Sequence, residues 1–163
     1  MPISSFIVTI LISMATSGLI EPTYSVALPE KANTPELAFN EYFSLLNEGN
    51  YKEAMYYHGA GYETLYAWNG GVSPADRITL FKNGCEMNGW QCLKVKKILK
   101  TEKISDTETK FTVQFQNNDG SLFERGPCCG STEEQDPTQR EFTYNVKKTK
   151  NGFMVMNEPL YVP

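Results

Sequence analysis

The apolar residues of this chain change their spacing at Trp90, and this change is the strongest constraint on the fold. Ahead of Trp90, apolar side chains such as Ala38, Tyr42 and Leu45 recur every three or four residues, as on one face of a helix. After it, apolar and polar residues alternate, as expected for strands with one buried face. Helices followed by an antiparallel meander predict an α+β domain, with three N-terminal helices packed on one face of a curved sheet.

Helix signals in the first half set the expected boundaries. Thr34-Pro35-Glu36 has an N-cap hydroxyl, a proline at the first helical position and an early acid, and Gly49 closes this helix. Asn50 begins a second, short helix that reaches His58. Ser73-Pro74-Ala75-Asp76 starts a third helix, with Asp76 expected at the reciprocal capping position. The aromatic-rich residues 62–68 fit a strand or a helix equally well.

In the second half, alternating residues predict strands around Leu93 to Leu99, Phe111 to Phe115 and Phe142 to Val146. Asp119-Gly120 is a hairpin turn that leads into a strand at residues 121–125. Asn151-Gly152 turns the chain into a final pair of segments that ends at Leu160-Tyr161-Val162.

Residues 1–27 predict a signal peptide or an N-terminal anchor, because residues 6–20 are uncharged and mostly apolar. The first five residues lack Lys and Arg, so cleavage, retention as an anchor and burial as a native segment all stay open. Residues 28–33 are a polar linker, and residues 34–163 form a single domain. We expect a secreted or cell-envelope protein, with membrane contact only through an uncleaved N-terminal segment.

The charge balance bears on the class of partner. Residues 1–27 hold one charged side chain, Glu21, which leaves 15 basic and 18 acidic residues and a formal charge of −3 in the rest of the chain. This mild acidity gives no electrostatic reason to expect nucleic acid. The partner is therefore expected to be a protein or a small molecule that the sequence does not identify.

Four cysteines behind an export signal favour disulfides over free thiols. Cys85 and Cys92 are seven residues apart, and Cys128 and Cys129 are neighbours within Gly126-Pro127-Cys128-Cys129-Gly130. A bond between neighbours closes a strained eight-membered ring, so it is disfavoured as a structural bridge. Two pairings stay open: Cys85 and Cys92 each bond to one of the vicinal pair, or they bond to each other. A zinc site and a redox role for the vicinal pair are the functional rivals, although the usual zinc spacing and a C-x-x-C motif are both absent.

Six residues are candidates for the lining of a ligand pocket, and they are also ordinary core residues. They are Tyr57, His58, Tyr62, Tyr66, Trp68 and Trp90. His58 is the chain's single histidine and lies at a helix end, where a structural role is the simpler interpretation. No cofactor is expected, and the spacing of the cysteines lacks the usual pattern of a zinc site. No catalytic residue is assigned.

The order of elements resembles the nuclear transport factor 2-like superfamily, also described as cystatin-like, and its exported bacterial members of unknown function. The resemblance rests on Thr34-Pro35-Glu36-Leu37-Ala38, on Asn47-Glu48-Gly49-Asn50-Tyr51-Lys52-Glu53-Ala54 and on Phe153-Met154-Val155. It implies a cone-shaped domain with an open pocket, and it admits a homodimer through the open sheet face. Isomerases of this fold use a pocket carboxylate, which the apolar strand faces here lack.

Lysines follow the first long strand at positions 94, 96, 97, 100 and 103. They predict a solvated outer face that blocks edge-to-edge pairing, with an acidic partner as the rival interpretation.

Taken together, the sequence predicts a non-catalytic extracytoplasmic binding or interaction module. The alternative is a small pocket enzyme of isomerase or dehydratase type that uses His58 or a pocket tyrosine, and a third is a purely structural domain.

Overall fold

The computed structural model describes residues 32–163 and confirms an α+β fold with a mainly antiparallel sheet. The expected signal or anchor at residues 1–27, and all but the end of the linker at residues 28–33, lie outside the described residues. Within the described part of the chain, no helix is long and apolar enough to span a membrane.

The first helix begins and ends where the sequence predicts. α1 spans Pro35–Asn47, and the Thr34 hydroxyl accepts a hydrogen bond from the backbone N–H of Leu37 at 3.1 Å. This bond satisfies one of the free N–H groups of the first turn. Gly49 follows the helix with a positive φ of 76°, a backbone conformation that glycine adopts without steric cost.

Residues 32–163 contain four α-helices rather than the expected three. α2 spans Tyr51–Ala54 and continues as a 3-10 turn at Met55–Tyr57, and α3 spans Glu63–Trp68, which settles the ambiguous segment as helical. α4 spans Arg77–Glu86. Its N-cap is Asp76 and not Ser73, because the Asp76 carboxylate accepts from both the N–H and the hydroxyl of Thr79.

The main sheet has four antiparallel strands in the order β2-β3-β4-β5. They span Lys94–Lys103, Glu108–Gln116, Phe142–Thr149 and Gly152–Val155. A second, two-stranded sheet pairs β1 (Trp90–Gln91) with β6 (Leu160–Tyr161), so the C-terminal residues leave the meander. The strand expected at residues 121–125 is reduced to single bridges, Gln116 to Leu122 and Arg125 to Gln139.

Aromatic rings fill the space between α1 and the sheet. Phe39 and Phe43 of α1 meet Phe111 and Phe115 of β3 and Tyr144 of β4, with ring centroids 4.9–5.4 Å apart. All five are at most 2% exposed. Burial of each such ring contributes about 1.5–3 kcal/mol, so this packing holds α1 on the sheet and leaves its interior face occupied.

The lysine-rich strand β2 is an edge of the main sheet, where exposed lysines hinder pairing with another chain. Two of these lysines form ion pairs with nearby acids: Lys100 contacts Glu102 at 3.1 Å and Lys103 contacts Asp106 at 2.6 Å. These pairs are solvent-exposed and each contributes little to stability.

Candidate functional site

His58 lies inside the protein and uses both of its ring nitrogens. Its side chain is 4% exposed at the end of the 3-10 turn. Nε2 lies 3.3 Å from the Gly61 carbonyl, which can only accept, so Nε2 carries the proton. Nδ1 then accepts from the Tyr42 hydroxyl at 2.9 Å. Neither nitrogen is left to act as a general base.

Aromatic rings enclose the imidazole. The centroids of Phe81, Tyr62 and Trp90 lie 4.9, 5.1 and 6.2 Å from that of His58. Burial lowers the pKa of His58 to about 4; the hydrogen bond to Gly61 opposes this shift, and the nearby charge of Arg77 adds to it. His58 is therefore neutral near pH 7, and its two hydrogen bonds give it a structural role in the core.

The other sequence candidates do not surround one pocket. Tyr57 and Trp90 are buried in the core, at 5% and 2% exposure. Tyr62 is half-buried, with the Arg77 guanidinium 4.5 Å above its ring centroid. Trp68 lies at the surface and packs on Tyr161. The remaining candidate, Tyr66, stacks on Tyr62 with ring centroids 6.0 Å apart.

The four cysteines divide into two kinds. Cys85 and Cys92 are bonded to each other, with Cα atoms 5.5 Å apart, and join the end of α4 to the approach to β2. Cys128 and Cys129 are free and exposed. Of the two pairings that the sequence leaves open, the structure has the bond between Cys85 and Cys92, and the expected disulfides of Cys128 and Cys129 are absent among the described residues. The short turn between Cys85 and Cys92 brings these two together, so neither is available to bond Cys128 or Cys129.

The free pair lines an open cleft near the C-terminal segment, which we call the rim cleft. Its volume is about 520 Å³, and one wall is formed by residues 126–129 of the Cys loop, which spans residues 126–130. Tyr161, Val162 and Pro163 of the C-terminal segment form another wall, and Phe123 also lines the cleft. Most of the lining is apolar, and three charged residues complete it: Glu124, Arg125 and Asp136.

Ion pairs hold the charged residues of the rim cleft. Arg125 contacts Asp136 at 3.4 Å, and both side chains are about 30% exposed. Arg140 contacts both carboxylate oxygens of Glu124, at 2.6 and 3.2 Å. This hydrogen-bonded contact lowers the pKa of the Glu124 carboxyl, so Glu124 stays ionised. The charges around the cleft are thus paired across neighbouring segments.

The C-terminal wall of the rim cleft is held by the small sheet. Tyr161 is paired with Trp90 in register, and the Val162 N–H donates to the Gly89 carbonyl at 2.9 Å. Gly89 has a φ of +82°, and a Cβ at this position would meet the Val162 carbonyl and lie 2.9 Å from the Tyr161 ring. Only glycine fits this approach. The Trp68 ring supports Tyr161 from the side, with centroids 5.0 Å apart.

A second cleft of about 650 Å³ lies beside the rim cleft and shares Tyr161 with it. It runs between β4 and residues 157–161 and is the more polar of the two. Partial burial raises the pKa of Glu158 in its wall, and a hydrogen bond with Thr64 opposes this effect. Tyr161 therefore stands between an apolar and a polar cleft.

Sequence reasoning missed most of the rim cleft. It placed Phe123 and Tyr161 in strands, and it treated the Cys loop only as a source of disulfides or of redox chemistry. The glycine, proline and vicinal cysteines of this loop were the one local signal. The facing wall comes from residues more than 30 positions later, which no local pattern connects to the loop.

Among residues 32–163, no group of three potential metal ligands comes together. In comparisons with known proteins, no protein-family model and no curated sequence matched this chain.

Proposed function

We propose that this protein is a non-catalytic extracytoplasmic binding or interaction module, and that the rim cleft is its binding surface. The observation that carries the proposal is the contrast between a filled interior and an open, mostly apolar cleft at the surface. An occupant with an apolar body fits this cleft, either a small molecule or an exposed apolar segment of a protein partner.

The interior supports binding over catalysis. His58 and Asn69 are the buried polar residues of the described chain, so no buried carboxylate accompanies the histidine. Asn69 bonds the Leu65 carbonyl and the Asn83 amide, which joins α3 to α4. His58 is equally engaged, as described above. The alternative of a pocket enzyme that uses His58 or a tyrosine lacks a free base and a second reacting group.

The rim cleft has the properties of a ligand site. Its volume of about 520 Å³ lies within the usual range of about 300–1,000 Å³ for small-molecule pockets. Phe123, Tyr161 and Val162 supply apolar surface, and Arg125 with Asp136 supplies a polar handle that fixes orientation.

The proposed compartment rests on two features. The Cys85–Cys92 bond is of a kind that persists in oxidising compartments, and residues 1–27 have the composition of an export signal. We further propose that the fold is the nuclear transport factor 2-like cone, supported by helix α1 lying on one face of a four-stranded antiparallel sheet. A cone of this kind has its open pocket in the interior. Here aromatic rings fill the interior, and we propose the rim cleft at the surface as the binding site instead.

Trp68 offers a direct test, because its ring packs on Tyr161 at the cleft wall. We expect the amphipathic dye 8-anilinonaphthalene-1-sulfonate to bind the folded protein and to change its tryptophan fluorescence. Tyr161→Ala and Val162→Asp should each weaken this binding about 10-fold or more, since they remove apolar surface or introduce a charge. Tyr56→Ala is the matched control, because Tyr56 is 38% exposed but lies outside the rim cleft.

Equal dye affinity in all four proteins would overturn the assignment of the rim cleft. Circular dichroism of each variant separates loss of binding from loss of the fold. If a small-molecule substrate were instead turned over, and His58→Gln abolished the turnover with the fold intact, the enzymatic alternative would replace the proposal.

A further inference from the structure

Two exposed thiols lie in contact at the edge of the rim cleft. Cys128 and Cys129 are both free, and their Sγ atoms are 2.7 Å apart. A disulfide bond measures about 2.05 Å, so the two sulfurs need to approach by only about 0.6 Å to become bonded. The two sulfurs are thus in direct contact.

The loop holds the two thiols in this arrangement. Cys129 has a φ of +59°, in the left-handed region that residues other than glycine seldom adopt. The Cys128 carbonyl accepts from the N–H and the hydroxyl of Ser131, at 3.0 and 2.6 Å. The ion pair between Arg125 and Asp136 links the two sides of the loop. These contacts lie on both sides of the pair and support the backbone that carries the two cysteines.

We propose that Cys128 and Cys129 form a thiol–disulfide exchange site, which a disulfide of the glutathione class converts reversibly into a vicinal disulfide. The substrate class is a small, accessible disulfide, because both sulfurs are at the surface and one apolar wall faces them. Such a site is distinct from the Cys85–Cys92 bridge, which is formed within a short turn and holds two elements together.

The exchange proceeds in two balanced steps. The thiolate of one cysteine attacks a sulfur of the small disulfide; a protein–thiol mixed disulfide forms, and one thiol leaves with a proton. The second cysteine then attacks the first, closes the Cys128–Cys129 bond and releases the second thiol. Two electrons and two protons pass from the protein to the small disulfide, which becomes two thiols.

The contact between the sulfurs affects their ionisation. The hydrogen bond with Cys129 raises the pKa of the Cys128 thiol, with partial desolvation as a second cause. Either cysteine can make the first attack, and its neighbour then closes the ring. The thiolate is the reactive form in both steps.

Ring strain makes the closed form easy to reduce. Strained or exposed disulfides have higher reduction potentials than buried structural ones and are the labile members of a protein's set. Ring closure also changes one wall of the rim cleft, so the affinity of the cleft for its occupant should differ between the two states. This last consequence rests on the proposed binding function, whereas the exchange chemistry does not.

Trypsin separates the two cysteine pairs, which makes a direct test possible. Cleavage after Lys and Arg places Cys128 and Cys129 together on residues 126–140, and Cys85 and Cys92 together on residues 83–94. The folded protein is incubated with mixtures of reduced and oxidised glutathione, alkylated and digested. We expect peptide 126–140 to lose two hydrogens in oxidised glutathione and to regain two alkylatable thiols in reduced glutathione. Peptide 83–94 should stay oxidised throughout.

Single-cysteine variants sharpen the assignment. Cys128→Ser and Cys129→Ser each keep one thiol but cannot close the ring, so each should accumulate the mixed disulfide with glutathione. Both positions are exposed, so neither change should disturb the fold.

Three results would overturn the exchange site: alkylation of both thiols in every mixture, a stable glutathione adduct on the unchanged protein, or a crosslink between peptides 126–140 and 83–94. Dye binding to the rim cleft is measured on the same samples. Ring closure without dye binding refutes the proposed binding function alone, and dye binding without ring closure refutes the exchange site alone.

Discussion

The interior around His58 and the loop around Cys128 differ in how exposed their reactive groups are and in which partners those groups have. His58 is 4% exposed, and its two nitrogens bond Tyr42 and Gly61. Cys128 and Cys129 are exposed, and their sulfurs contact each other. A buried polar group must find partners within the protein, and those partners use up its capacity to react.

This difference shows why residue type alone is a poor guide to a site. Histidine and aromatic residues in the first half of the chain have the composition of an active site, yet most of them build the core. The loop that joins β3 to β4 has the composition of a linker, and it holds the accessible thiols. The experiments below test this contrast between a sealed interior and an open rim, in order of decreasing effect.

The sealed interior is tested first at Phe43, whose ring meets those of Phe39, Tyr42, Phe115 and Tyr144. Phe43→Ala should lower the free energy of unfolding by about 3–5 kcal/mol, because it removes a buried ring and leaves a cavity. Leu37→Ala is the control on the same helix, since Leu37 is 54% exposed; it should cost at most about 0.5 kcal/mol. Urea unfolding measures both, and a similar small loss in both variants would show that the interior is loosely packed.

The second test uses pH. The pKa of His58 is about 4 in the folded protein and about 6.5 in the unfolded chain, so the unfolded state binds the proton first as the pH falls. The contribution of His58 to the free energy of unfolding is therefore fully present above about pH 6.5. The free energy of unfolding falls by about 3 kcal/mol as the pH is lowered from about 6.5 to about 4. Urea unfolding at several pH values within this window measures the loss.

The variant His58→Gln isolates this effect, because other titrating groups are unchanged. It should be less stable than the unchanged protein at pH 7, and its stability should fall by about 3 kcal/mol less between pH 6.5 and pH 4. Tyr42→Phe, which removes the hydroxyl but keeps the imidazole buried, should retain the pH dependence. An identical pH profile in His58→Gln and the unchanged protein would mean that burial does not prevent protonation of His58 in the folded state.

A third test compares the two cysteine pairs. Replacement of Cys85 and Cys92 by alanine should lower the free energy of unfolding by about 2–3 kcal/mol, as expected for a short disulfide loop. Replacement of Cys128 and Cys129 by serine should change it by at most about 0.5 kcal/mol, because both side chains are exposed. If the second change were as costly as the first, the loop would belong to the stabilising framework and not to an open rim.

The parts of the fold that the sequence predicts are those with a local cause. Thr34 and Pro35 begin α1 through a cap and a fixed φ, and Phe111, Val113 and Phe115 alternate because one face of β3 is buried. Asp76 was placed in the correct turn but in the wrong role, because Ser73 and Asp76 are both good N-cap residues. The contacts of the Asp76 carboxylate with Thr79 decide between them.

The parts that escaped prediction depend on contacts between distant segments. β1 and β6 have two residues each, too few to show a period, and their paired residues are 69 and 71 positions apart in the sequence. Whether each aromatic candidate is buried or exposed depends on which face its helix buries, and tertiary packing determines that face. Trp68 and Trp90 have the same chemistry in the sequence, yet one is exposed and the other is in the core.

The close approach at Gly89 has a consequence for the genetics of this protein. A side chain at position 89 would collide with the Val162 carbonyl and displace the strand that carries Tyr161. In a selection for binding, substitutions at position 89 would therefore score as severely as those in the rim cleft, although Gly89 does not line it. Loss-of-function alleles would then map to three separate segments of the sequence: position 89, residues 123–136 and residues 161–163. Those at position 89 would report displacement of the strand that carries Tyr161, and not loss of contact with the bound molecule.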